Sequence, residues 1–496
     1  MYFITFDLRY NLNNNKNFTI VQMNITDNHD QYARLRESYP VFTYKKYQIN
    51  QSENGLAVTF VFKVGQDFVF KPGIRFHGRA FGTDLAISPA THSLIFHIGL
   101  VEMISYWKAF CCPTIHIEPF QLNQEQQQWW HKLFLYGLGE FFYSNGVPID
   151  DTRMLSFSFD RHAPQLPAPD RPTGLGDEVI IPVGGGKDSV VAIDLIQRAE
   201  MNAIPLVVNH REATRRVIET AGHRANQQIQ IDRELDPLLL TLNDRGFLNG
   251  HTPFSALLAF ISVFAAHAHR VKHIALSNES SANEPSIPGT KINHQYSKSY
   301  EFESDFRSYV RTFLSNDVEY FSLLRPLNEI QIAAAFSALP RYHKVFRSCN
   351  VGSKSNSWCG QCPKCLFTFI ILAPFMDAAS LSDIFGKNLF EEAALSQTLD
   401  QLTGHAPEKP FECVGTTGEV NAAVLHIINE YNRLGRPLPA LLKHYQSRPP
   451  TEQPGRHGPL AAYLNDFNQH HHLSQPFAEM INKRIISNHP KNQLPA

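Results

Sequence analysis

The chain has 496 residues, too long for one ordinary domain, and its 43% hydrophobic and 18% charged residues exclude general disorder. A formal net charge of -1 and the lack of a long basic block weigh against a dedicated nucleic-acid binder. The N-terminus, MYFITFDLRYNLNNNKN, has no basic start followed by an apolar run, so no secretory signal is expected.

Early in the chain, residues 11–17 are rich in asparagine and read as a loop, and residues 56–64, LAVTFVFKV, read as a strand. Helices are expected over 98–110 and 123–143, with Cys111 and Cys112 as core residues beyond the first. The sequence IRFHGRAFG offers Arg75, His77 and Arg79, either as contacts for an acidic nucleotide sugar or as a solvated strand end. Residues 160–177 hold four prolines and two glycines and read as a linker that closes an N-terminal α+β domain over 1–160.

After the linker, strands and helices alternate. Strands are expected at 178–183, 204–208, 228–231 and 273–276, and helices at 189–200 and 212–221. EVIIPV is a continuous apolar run, as in a strand covered on both faces. The longest apolar stretch, residues 253–268, is too short to span a bilayer and reads as a buried helix, so no membrane partner is expected. The fold class implied is α/β, a doubly wound parallel sheet over 177–375. Residues 376–496 read as a helical C-terminal region, with a break at 447–459. The run His470, His471, His472 reads as an exposed polar turn rather than a metal site.

EVIIPV runs straight into Gly184-Gly185-Gly186-Lys187-Asp188-Ser189, and a helix follows. Glycines let bare N–H groups approach an anion, and the unpaired N–H groups of the helix start face the same point. Lys187 can add charge, Ser189 a hydroxyl and Asp188 a ligand for phosphate-bound Mg²⁺. GxxxxGK[ST] and GxGxxG are both absent, which sets aside two other phosphate loops.

Four of the seven cysteines, Cys349, Cys359, Cys362 and Cys365, fall within 17 residues, the last three in WCGQCPKC. Zn²⁺ takes four thiolates, and a set with no open position suits a structural rather than a catalytic ion. In a cytoplasmic protein, the expected setting here, clustering of this kind points to metal rather than disulfides. Cys413, in KPFECVGTTGE, lies in a polar turn beyond the sheet. Its residue context favours a buried structural cysteine over one that closes on an active site.

GGGKDS resembles the SGGxDS loop of the PP-loop ATP pyrophosphatases, with Gly184 where that family usually has serine. Leu324-Arg325-Pro326-Leu327 with Glu329-Ile330 resembles the PL…EI stretch of the same family, and the Ser277-Asn278-Glu279 turn follows the fourth expected strand, at the carboxyl edge of the sheet where ligands bind. The cysteine spacing is similar to that of the 7-cyano-7-deazaguanine synthases, also PP-loop proteins. The whole layout resembles the UDP-N-acetylmuramoyl-L-alanyl-L-glutamate epimerases of peptidoglycan synthesis. That resemblance implies an adenine nucleotide alpha hydrolase-like fold and ATP, Mg²⁺ and Zn²⁺ as cofactors. It also implies a UDP-linked muramoyl dipeptide as substrate, epimerised through an acyl-adenylate with release of AMP and pyrophosphate. Asp188 and Cys413 are then the candidate catalytic residues, with Glu412 and Glu279 as further proton carriers. A PP-loop enzyme modifying a nucleobase or tRNA, and a non-catalytic zinc-organised binding protein with a decayed loop, are the alternatives.

Overall fold

The computed structural model describes residues 26–82, 85, 88–147, 154–449 and 458–486. The N-terminal segment expected to carry no secretory signal, the Asn-rich 11–17 stretch and most of the 447–459 break lie outside these residues.

Eleven strands make one sheet among the described residues. In chain order they are β1 (Val41–Ser52), β2 (Gly55–Val64), β3 (Phe68–Phe70), β4 (Gly73–His77), β5 (Thr114–Ile117), β6 (Ser156–Phe159), β7 (Gly176–Pro182), β8 (Ala203–Val208), β9 (Ile229–Glu234), β10 (Val271–Leu276) and β11 (Glu319–Ser322). The order across the sheet is β11-β10-β7-β8-β9-β4-β2-β1-β5-β6, with β3 on β2. The run β11 to β9 is wholly parallel. It starts in the middle at β7, steps outward to β8 and β9, then returns past β7 to β10 and β11. This is the doubly wound arrangement, and its direction reverses between β7 and β10.

The N-terminal strands do not form a separate sheet. Antiparallel pairing of β4 with β9, Ile74 opposite Arg233 and Phe76 opposite Ile231, joins them to the parallel half. Alternation along the strands assigns the two faces. Ile180, Leu206, Val208 and Ile274 belong to one apolar cluster, and Val179, Ile181, Val207 and Ala275 to the other. The first cluster is covered by the helices Pro89–Trp107 and Phe254–His269, whose apolar residues surround their axes. Glu102 of the former forms a buried ion pair with Arg233 of β9 at 2.7 Å, and Ser105 Oγ accepts from the same guanidinium at 3.1 Å. The second face carries Lys187–Arg198, Glu329–Ser337, Pro363–Leu372 and Thr417–Arg433.

The expected helix over 123–143 is two, Gln124–Gly137 and Gly139–Ser144, and the expected 98–110 helix begins earlier, at Pro89. β11 was not legible, because four residues without alternation carry little periodic signal. The His470–472 run is partly ordered by packing: His472 stacks on Tyr300 at 4.8 Å and hydrogen-bonds Ser304 Oγ at 2.7 Å. No helix among the described residues is long and apolar enough to cross a membrane.

Candidate functional site

β7 delivers GGGKDS to the carboxyl edge of the parallel strands, beside the point where strand order reverses. Crevices at such points are where open α/β sheets bind ligands. Of the three glycines, the geometry requires one. Gly185 has φ +86, and a Cβ there would lie 2.9 Å from the Thr214 backbone nitrogen. At Gly184 a Cβ would meet nothing within 4 Å, so the serine usual in PP-loop proteins has room. Gly186 is the N-cap of Lys187–Arg198, and no side chain caps that helix, which leaves first-turn N–H groups for an anion. Ser189 Oγ donates to the Gly186 carbonyl at 2.9 Å and holds the turn closed.

The structure sets the Lys187 ammonium between two carboxylates rather than leaving it free for phosphate. It donates to Asp188 Oδ1 at 2.5 Å and to Glu329 Oε2, and both Lys187 and Glu329 side chains are 5% exposed. Burial opposes its charge, but Asp188 and Glu329 override that and hold it protonated. Glu279, from the turn after β10, is buried in the same group. Burial raises its pKa and the Asp188 charge raises it further. Arg325, fully buried, binds Glu303 at 3.0 Å and the Glu279 carbonyl at 2.6 Å, so LRPL braces this edge rather than lining it.

Next to this group lies the 409–419 segment, and it is a hub rather than a surface turn. Lys409 N donates to the Ser286 carbonyl at 3.0 Å, Asn350 Nδ2 to Glu412 Oε2 at 2.6 Å, and Gln295 Nε2 to the Val414 carbonyl at 3.2 Å. Glu419 closes a capping box with Thr416, accepts from Ser281 Oγ at 2.8 Å and accepts from Glu329 N at 2.7 Å. One carboxylate thereby ties the start of Thr417–Arg433 to the residue that pairs Lys187.

Cys413 sits inside this hub as a free thiol, not as an inert core residue. Lys298 Nζ donates to its Sγ at 3.0 Å. Burial raises the thiol, but Lys298, Lys364 and His294 outweigh it and hold Cys413 well below its ordinary range. The adjacent Glu412 moves the other way. Burial pushes it up to about 7, against the pull of Lys364 and His294. Cys111 and Cys112, by contrast, are core residues as expected.

The four clustered cysteines lie against the loop from the other side. Arg347 N donates to the Gly185 carbonyl at 2.9 Å, two residues before Cys349. The Sγ separations are 3.8 Å for Cys349–Cys362, 3.7 Å for Cys359–Cys365 and 3.5 Å for Cys362–Cys365. Four sulfurs bound ~2.3 Å from one ion would be about 3.8 Å apart. The backbone N–H groups of Gly352 and Cys362 also point at Cys349 and Cys359 Sγ, as they do to thiolates. This cluster can hold a metal ion such as zinc.

Arg75, His77 and Arg79 lie elsewhere. β4 runs antiparallel to β9, so its His77 end reaches the amino edge of the parallel strands, opposite GGGKDS, and His77 pairs with Asp232 at 2.7 Å. A cavity of about 530 Å³ opens on the loop side, lined by Ser281, Glu284, Thr416, Glu419, Tyr463 and Asp466 among others. Glu329 and Cys413 belonged to quoted motifs. Lys298 and His294 are single residues in unremarkable sequence, and no linear signal marked them.

A family model described as the MurL N-terminal domain matches residues 33–323, and one described as the MurL C-terminal domain matches residues 345–454. The chain is 35% identical over 382 residues to the UDP-N-acetyl-alpha-D-muramoyl-L-alanyl-L-glutamate epimerase of Xanthomonas oryzae pv. oryzae, covering 75% of this chain and 82% of that protein. Proteins of the same name from Micromonospora sp. and Salinispora tropica are 34% and 33% identical. They cover 65% and 67% of this chain and 72% of each relative.

Proposed function

The chain belongs to the MurL family of UDP-N-acetyl-alpha-D-muramoyl-L-alanyl-L-glutamate epimerases, and from that premise we propose that it inverts the terminal glutamate of this muramoyl dipeptide at the expense of ATP cleaved to AMP and pyrophosphate. The observation that carries the reading is spatial. An uncapped helix start with a PP-loop-like turn, at the reversal point of a doubly wound sheet, is tied through Glu329 and Glu419 to a segment bearing a thiol held below its ordinary range and, beside it, a carboxyl pushed up to about 7.

The chemistry needs both halves. The α-proton of a carboxylate is scarcely acidic, because its removal places a second negative charge beside the first. Attack of the glutamate carboxylate on the α-phosphorus of ATP forms a mixed anhydride and expels pyrophosphate. The neighbouring C–H is then far more acidic. The loop's N–H groups cradle the phosphates, and Asp188 with Glu279 offers two facing carboxylates whose mutual repulsion a Mg²⁺ would relieve. Cys413 accepts the α-proton and Glu412 is the proton donor, two neighbouring groups whose surroundings push their pKa values apart. Water hydrolyses the anhydride to AMP and D-glutamate. Zinc in the four-cysteine site is structural, since every position is a thiolate. The free state of all seven cysteines is consistent with the cytoplasm.

The test is turnover of UDP-N-acetylmuramoyl-L-alanyl-L-glutamate with ATP and Mg²⁺. AMP and pyrophosphate should appear in step with D-glutamate, and ADP should not. In D₂O the product should carry deuterium at the glutamate α-carbon. Free L-glutamate should react poorly, because the UDP-sugar supplies binding energy that positions the carboxylate. ATP cleavage with a purine precursor or tRNA, and none with the dipeptide, would overturn the proposal.

A further inference from the structure

Behind Cys413 lies a second layer of titratable groups drawn from three distant parts of the chain. Glu140, 2% exposed, stands on the short helix Gly139–Ser144. His294 places Nδ1 2.5 Å from Glu140 Oε2. His251 approaches the same oxygen at 3.5 Å and lies ring to ring with His294 at 4.4 Å. With Nδ1 engaged on Glu140, His294 has Nε2 left, and the neighbouring Cys413 thiol raises its pKa. Only an imidazolium donates from both nitrogens.

We propose that Glu140 and His294 form a positioning relay, carboxylate to imidazolium to thiolate, that keeps Cys413 ionised and its sulfur aimed for proton abstraction at the glutamate α-carbon. The proposal rests on the reading of Cys413 as the proton acceptor. In the step the α-C–H bond breaks, the S–H bond forms, and the electron pair moves into the enolate of the activated carboxyl. His294 and Glu140 touch no reacting atom. They lower the cost of the thiolate before the step and orient it during the step.

The surrounding charges fit this role. Lys298 faces the sulfur directly, Lys364 comes from the start of Pro363–Leu372, and Glu412 adjoins Cys413 in the chain. Burial opposes the charge on His294, but Glu140 and Cys413 prevail and hold it up to about 10. His251, pressed by burial and by His294, Lys108 and Lys298, is kept neutral. Lys108, buried and bonded to Asn249 Oδ1 and the Gly250 carbonyl, faces Glu140 from behind. Glu140, His251 and His294 are also ligand types for a metal ion. The two ammonium groups nearby already supply positive charge, which favours the protonic role over a divalent cation.

The experiment follows the thiol in the full-length zinc protein. Iodoacetamide alkylation of Cys413 is mapped by mass spectrometry across pH, alongside the pH profile of α-deuterium exchange. Removing the carboxylate makes the imidazolium easier to deprotonate and the thiolate costlier. Glu140→Gln should therefore move the alkylation midpoint and the acidic limb of exchange upward by about one pH unit or more. Glu140→Asp should restore part of the shift. If Glu140→Gln fails to fold, as its melting curve would show, His294→Gln carries the same expectation. Unchanged midpoints in whichever variant folds would overturn the relay. So would a second bound metal ion per chain that is lost on His294→Gln. The underlying reading fails separately. Full α-deuterium exchange by Cys413→Ala would remove Cys413 as proton acceptor whatever the relay does, whereas lost exchange with unmoved midpoints would remove the relay alone.

Discussion

Asp188 and Lys187 are neighbours with opposite relations to solvent. The Asp188 side chain is 35% exposed, while that of Lys187 is 5% exposed and closed between carboxylates. Asp188→Ala should therefore abolish pyrophosphate release yet lower stability by only about 1 kcal/mol, as for a partly exposed group in the first turn of a helix. Lys187→Met removes one partner of a buried pair and leaves Glu329 uncompensated, so it should cost roughly 3–5 kcal/mol. Lys187→Met with Glu329→Gln should recover much of that loss, since the stranded charge is gone. Melting temperatures of the three variants, beside pyrophosphate release, check both statements. Equal destabilisation by Asp188→Ala and Lys187→Met would contradict the burial difference on which they rest. By sequence both residues read as phosphate-site groups, Lys187 as charge and Asp188 as a Mg²⁺ ligand, because nothing in GGGKDS says that Glu329, 142 residues away, will reach back to the lysine.

At the scale of elements, the cysteine cluster and the phosphate-like loop are one unit. The Arg347 N–H on the Gly185 carbonyl links the segment before Cys349 to the one glycine whose backbone shape is obligatory. Purified protein should carry about one zinc per chain. Cys362→Ser should lower the melting temperature markedly, because structural zinc binding is coupled to folding. Weakened ATP affinity should accompany the loss, transmitted through Arg347 to Gly185. Elemental analysis and a nucleotide-binding titration check this; a metal-free protein with wild-type stability would exclude it. The metal-site motif was plain in the sequence, since CxxCxxC places three sulfurs locally. Its contact with the loop was not, because that depends on how residues 340–350 cross the sheet edge.

For the whole molecule, the shared sheet matters most. β4 pairs with β9, the helix Pro89–Trp107 packs on Phe254–His269, and the Glu102–Arg233 pair is buried across this junction. Glu102→Gln leaves a guanidinium that cannot neutralise itself and has no opposing charge, only neutral acceptors in the new amide oxygen and Ser105 Oγ. A cost of roughly 3–5 kcal/mol is expected. Unfolding of this variant, as of the wild type, should be a single transition. With Trp358 replaced by phenylalanine, Trp107, Trp129 and Trp130 report on the N-terminal side by fluorescence, and metal release from the cysteine cluster reports on the other. Coincident curves are the expected result. Two separated transitions would mean that the halves on either side of residues 160–177 fold independently, against what the continuous sheet leads one to expect.

By itself the sequence determined whatever depends on short spacing. EVIIPV into GGGKDS specifies a buried strand, a tight turn and a helix start, since each is set by neighbours within a few residues. WCGQCPKC with Cys349 specifies a four-thiolate set for the same reason. The alternation after residue 177 sufficed for a parallel doubly wound sheet, because buried strands and covering helices each leave a periodic trace. Tertiary structure alone decided that this sheet continues into the N-terminal strands. The pairing of β4 with β9 is made by backbone groups, and residue types do not encode it. It also decided the fate of Cys413. Burial by itself would push that thiol up, but Lys298, Lys364 and His294 arrive from other parts of the chain and hold it below its ordinary range.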